Sequence, residues 1–155
     1  FIYLYTIKKL LGNLNGNFSL NFSNLNDQLI KNGKINFKFE NEDIKFLGAN
    51  FEIPEIGNIE SKIKYLKEND EIIFYSENSL SINNYINFAK FFQISSKKIK
   101  KIKKINFNIK KKLEETDFLL SDIVLNDNQI KISNNLPFVV KNVQALKAFV
   151  RDNLN

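Results

Sequence analysis

The chain of 155 residues has no cysteine, no histidine and no methionine, and Arg151 is its sole arginine. Without cysteine there is neither a disulfide framework nor a thiolate metal site, and the redox compartment is left open. Without histidine the commonest general base and metal ligand is missing, and with it the usual Ser-His, Cys-His and zinc chemistries. Only five glycines occur and none forms a Gly-x-Gly-x-x-Gly cluster, so there is no phosphate-binding loop. No apolar run approaches the roughly 18–20 residues that span a bilayer, and Phe1 to Tyr5 is too short even for a signal-peptide core. A start at Phe1 with no methionine is expected of a fragment of a longer product, whose targeting signals lie elsewhere.

What the chain does have is fifteen phenylalanines, mostly spaced every second residue beside isoleucine and separated by lysine, asparagine or glutamate. Ile35-Asn36-Phe37-Lys38-Phe39 and Ile105-Asn106-Phe107-Asn108-Ile109 are the clearest runs. A period of two puts their apolar side chains on one face of a strand. The expected fold is mainly β: a curved antiparallel sheet, an open groove or half-barrel, with two or three short helices including a C-terminal capping helix. A single domain over 1–155 is long enough to bury roughly 70% of the surface its unfolded form exposes.

Along the chain, a helix is expected from about Tyr5, stopped by Gly12. Phe18, Leu20 and Phe22 form a strand, and Asn24 caps a short helical turn that reaches Ile30 before Asn32-Gly33 breaks it. The apolar phase passes from odd positions at Ile35, Phe37 and Phe39 to even ones at Ile44 and Phe46, which a hairpin turn at Asn41-Glu42-Asp43 explains. Gly48, Pro54 and Gly57 punctuate two further strands, carrying Phe51 and Ile53, then Ile59, Ile63 and Tyr65. Ile72, Phe74, Leu80 and Ile82 mark the next strand. Asn83 or Asn84 caps a lid helix bearing Phe88, Phe91 and Phe92, and strands follow at Ile105–Ile109, Phe118–Leu125 and Gln129–Ser133. Asn142 caps the terminal helix. Lys-Ile-Asn-Phe recurs at Lys34 and Lys104, which hints at a duplicated β-unit and suggests sub-units 13–94 and 104–155.

Little in the sequence points to catalysis. The acidic clusters Glu40/Glu42/Asp43, Glu68/Asp70/Glu71 and Glu114/Glu115/Asp117 fall between strands, where polar turn residues belong, and lack calcium-loop spacing. Ser95, Ser96 and Lys97 are adjacent in sequence without any sign of nucleophile geometry. No catalytic residue, metal or cofactor is therefore expected. The basic run Lys97–Lys104, in a chain of net charge +6, reads as a solvated connector or as a contact for anionic headgroups; lysines without arginine forks read bases poorly, so nucleic acid is not an expected partner. The phenylalanine stripe leaves two readings open: a closed core, or an open face that needs a ligand.

Several stretches together resemble the C-terminal region of AsmA-like proteins, the bacterial relatives of the repeating β-groove lipid-transfer family. They are Leu14 to Leu20, Asn32 to Phe37, Gly57 to Tyr65, Asn87 to Ile94, Lys104 to Ile109 and Val143 to Lys147. The resemblance implies a non-enzymatic segment that shields phospholipid or other lipid tails between membranes. It also implies a periplasmic location and anchorage to the inner membrane through a missing N-terminal helix. The expected groove lining is Phe18, Leu20, Phe37, Phe39, Phe46, Phe51, Ile63, Tyr65, Phe74, Phe107 and Ile109, with Lys98, Lys101 and Lys103 as headgroup contacts. The rival expectation is a structural or protein-interaction β-module with a closed core and no ligand.

Overall fold

A computed structural model describes residues 15–23, 29–40, 43–68, 71–95, 102–112, 115–126 and 137–154. Its strands are β1 (Gly16–Phe22), β2 (Asn32–Glu40), β3 (Asp43–Ile53), β4 (Gly57–Glu68), β5 (Glu71–Ile82), β6 (Lys104–Lys112), β7 (Phe118–Leu125) and β8 (Phe138–Val140). Helix α1 (Tyr85–Phe92) lies between β5 and β6, and helix α2 (Val143–Leu154) closes the described chain. The eight strands form one open antiparallel sheet in sequence order, so each strand pairs with the one before it. Links of two or three residues join β2 through β5 into hairpins, which bring consecutive strands back side by side, whereas β5 returns to β6 through α1.

Register puts most of the apolar residues on one side, Ile73 being a buried exception on the other. Phe18 opposes Phe37, Phe39 opposes Ile44, Phe51 opposes Ile59, Leu80 opposes Ile105 and Ile109 opposes Leu120. Directly opposed residues share a face, and the rings on β1 and β2 touch, with Phe18 and Phe39 centroids 5.3 Å apart. Two β-bulges keep this face continuous. On β3, Phe46 pairs with Phe37 and Gly48 with Asn36, which leaves Leu47 as an extra residue. On β7, Asp122 and Ile123 together face Phe107, and Asp122 takes a φ of 52°. Each bulge moves the inward phase by one residue. Even-numbered Ile44 and Phe46 thus join odd-numbered Ala49, Phe51 and Ile53, and Phe118 and Leu120 join Ile123 and Leu125.

Several expectations are corrected here. Gly48 does not separate two strands: β3 runs through it, and its φ of 151° suits glycine at the bulge. Asn32-Gly33 opens β2, and the Phe22 and Phe51 rings lie over Gly33, where a Cβ would collide with the Phe22 ring. Leu29 and Ile30 are not helical. Strand β8 had no clear signal, being only three residues long. The N-terminal helix from Tyr5, the strand at Gln129–Ser133 and most of the lysine link lie outside the described residues.

The helices sit where their caps allow. The Asn84 side chain accepts from the Asn87 N–H at 3.1 Å, and α1 ends at Gln93 in the left-handed region. The Asn142 side chain accepts from the Ala145 N–H at 2.9 Å. Phe88, Ala89 and Phe92 pack with Ile53, Ile56, Leu80, Ile105 and Leu125, and Leu146, Val150 and Leu154 of α2 join them. Burying a ring such as Phe88 contributes about 2–3 kcal/mol, so this end of the sheet has a two-layer core. A second, smaller cluster of Phe37, Phe39 and Ile44 lies on the β1–β3 side with Phe18, Ile35 and Phe46.

Candidate functional site

Between the central strands and the helices lies a cavity of about 470 Å³ whose lining is almost wholly apolar. Strands β3 to β7 supply its floor through Phe51, Ile59, Ile63, Phe74, Ile109 and Leu120, among others. Phe88 and Phe92 of α1 and Leu146, Phe149 and Val150 of α2 line the other side. Phe149 is held there by stacking on Phe138 of β8, with centroids 4.2 Å apart. Along β6 the lining runs from Ile105, beside the helices, through Phe107 and Ile109 to Lys111. The six steps of strand from Ile105 to Lys111 span roughly 20 Å.

A polar patch interrupts the floor. Ser61 and Asn78, directly opposed on β4 and β5, are both buried, and the Ser61 hydroxyl donates to Asn78 Oδ1 at 2.7 Å. Asn78 Nδ2 donates to Ser76 Oγ at 2.9 Å, to the Ser76 carbonyl at 3.1 Å and to the Phe107 carbonyl at 3.3 Å. The carboxamide is thus satisfied internally, and an apolar ligand passing over it would strand no donor or acceptor. The opposite face of the sheet carries a polar hollow with Asn36, Glu60, Lys62, Glu77, Asn106 and Asp122. Among the described residues, no three Asp or Glu side chains gather to hold a metal ion.

The eleven expected lining residues divide. Phe51, Ile63, Phe74, Phe107 and Ile109 line the cavity. Phe37, Phe39, Phe18 and Phe46 belong to the β1–β3 cluster. Leu20 and Tyr65 point the same way by register but are exposed. Of the lysines, Lys98 and Lys101 lie outside the described residues. Lys103 is exposed just before β6, where its backbone N–H is held by Asn126 Oδ1 at 2.7 Å. The acidic turn clusters act as ion-pair partners: Glu40 meets Lys38 at 2.6 Å and Lys45 at 2.7 Å, and Lys112 meets Glu71 at 2.9 Å. Hydrogen bonds from Lys38 and Lys45 hold the Glu40 carboxyl down at about 2.

Period-two reading passed over Ser61, Ser76 and Asn78, because polar residues on an apolar face look like the other face. It passed over Leu120 because of the β7 bulge. Lys111 was legible: it continues the odd-numbered series Ile105, Phe107, Ile109.

No protein-family model and no solved structure matches the chain. A UPF0102 protein of Campylobacter hominis is 35% identical to it over 112 residues, which is 69% of this chain and 96% of that protein. The chain belongs to the UPF0102 family. This relationship overturns the AsmA-like assignment, and with it the functional expectations built on that resemblance: lipid transport between membranes, a part in outer-membrane biogenesis and an N-terminal membrane anchor. No helix among the described residues is long and apolar enough to cross a membrane. The UPF0102 designation names no substrate, so a functional reading of this chain starts from its geometry.

Proposed function

We propose that this UPF0102 chain is a non-enzymatic binding module that holds a long hydrocarbon chain in the cavity between its sheet and its two helices. The observation that carries this reading is the cavity itself, about 470 Å³ of nearly unbroken apolar lining, within the 300–1,000 Å³ range of ligand pockets. Taking each methylene out of water contributes about 0.8 kcal/mol without any directional bond. The two bulges lie close to one line across the sheet, on either side of Ser61 and Asn78. Bulges bend strands and increase their twist, so the reading includes a sheet curved about the cavity.

The absence of tryptophan gives a direct test. Ile63→Trp places a single reporter in the lining, and Leu66→Trp places one on the outer face, where Leu66 opposes Ile73. A brominated long-chain fatty acid should quench the Ile63→Trp emission saturably and leave Leu66→Trp unaffected. Equal quenching at both positions, or none at Ile63→Trp, would refute the reading and favour a closed structural module.

A further inference from the structure

We infer that the cavity selects a long-chain fatty acid and fixes its direction, with the carboxylate at Lys111 and the methyl end beneath α1 and α2. The inference rests on the proposed binding of a hydrocarbon chain and adds the identity and orientation of the ligand.

Three observations converge on it. First, Lys111 is the only charged residue among the described residues of the cavity lining, and it stands at the end of β6 away from the helices. It faces inward because it opposes Phe74, whereas Lys110 and Lys112 oppose Tyr75 and Ile73 on the outer face. Second, two nearby carboxylates are engaged by another cation: Glu71 and Glu115 pair with Lys112 at 2.9 and 3.4 Å. The Lys111 ammonium donates to the backbone carbonyl of Glu115, which occupies one of its three N–H donors and anchors the stem at the cavity's end. Third, the described residues that line the opposite end, Phe88, Leu125 and Leu146 among them, are apolar. The stretch from Ile105 to Lys111 is roughly 20 Å, somewhat more than half of a bilayer's hydrocarbon core of about 30 Å. That length takes one extended acyl chain. A single lysine, rather than a cluster, matches a singly charged carboxylate, and one narrow cavity matches a ligand with one tail.

The assay is equilibrium binding to the delipidated protein of a long-chain fatty acid and of the fatty alcohol of equal length. The acid should bind roughly three- to tenfold tighter, the size of one partly exposed charge-assisted contact. Lys111→Met should lower affinity for the acid to that for the alcohol and leave the alcohol unchanged. Lys110→Met, on the outer face opposite Tyr75, should preserve the preference. Equal affinity for acid and alcohol in the unaltered protein, or a preference that survives Lys111→Met, would overturn the inference while the cavity remains a hydrocarbon site. Failure of both ligands to bind would sink the two together.

Discussion

Asn78 lies at the centre of the sheet with its carbonyl oxygen committed to Ser61 and its amide to Ser76 and Phe107. Ser61 and Asn78 are 6% and 8% exposed, so water cannot readily replace a lost partner. Ser61→Ala removes one hydrogen bond and leaves Asn78 Oδ1 buried without it, which costs about 1–3 kcal/mol. Asn78→Ala removes the whole set and leaves a gap, and should cost at least as much. In the Asn78→Ala background, however, Ser61→Ala has no carboxamide left to strand and should cost close to nothing. The double-mutant cycle should therefore show a coupling of about 1–2 kcal/mol, measured by urea unfolding. In a thermal scan, each kcal/mol corresponds to about 2–4 °C for a chain of this size. Should Ser61→Ala cost the same in both backgrounds, the pair is not coupled and the network does not stabilise the sheet's centre.

Other outcomes follow from the same geometry. Glu40 has a folded pKa depressed to about 2 from its ordinary 4.5 by Lys38 and Lys45, so its stabilising contribution is complete above about pH 4.5 and is lost as pH falls towards 2; unfolding curves across that window should flatten in Glu40→Gln. The Tyr85 hydroxyl is buried without a hydrogen-bond partner among the described residues. Tyr85→Phe should therefore raise stability by about 1 kcal/mol in chemical denaturation, and a stability loss of that size would show that the hydroxyl has a partner. Burial also raises the Tyr85 pKa above its ordinary 10.0, so its contribution to stability should decline as pH rises beyond about 10. Deleting Leu47 should leave Asn36 opposite Gly48 and Phe37 opposite Phe46 in an unbroken ladder. The variant should fold with its apolar face intact and, on the proposed curvature of the sheet, show weakened fatty-acid quenching of Ile63→Trp; a variant that fails to fold would show that the bulge sets the register.

Several features were written locally in the sequence. Alternation in Ile35–Phe39 and Ile105–Ile109 determines the strands and their apolar side, because the pleat fixes a period of two. Asn84 and Asn142 determine where the helices begin, since a carboxamide there satisfies a backbone N–H that the helix cannot. The recurrence of Lys-Ile-Asn-Phe marks the two strands that face a bulge, β2 and β6. The tertiary structure alone decided which of the rings on one face enclose a cavity and which close on one another. Phe51 and Phe107 lie in the central strands within reach of α1 and α2, whereas Phe37 and Phe39 pack among their neighbours on β1 and β3. It also decided that Ser61 and Asn78 point inward, because only pairing across β4 and β5 gives each a partner. Local periodicity reports which side of a strand a residue takes; what lies over that side depends on contacts between residues far apart in the chain.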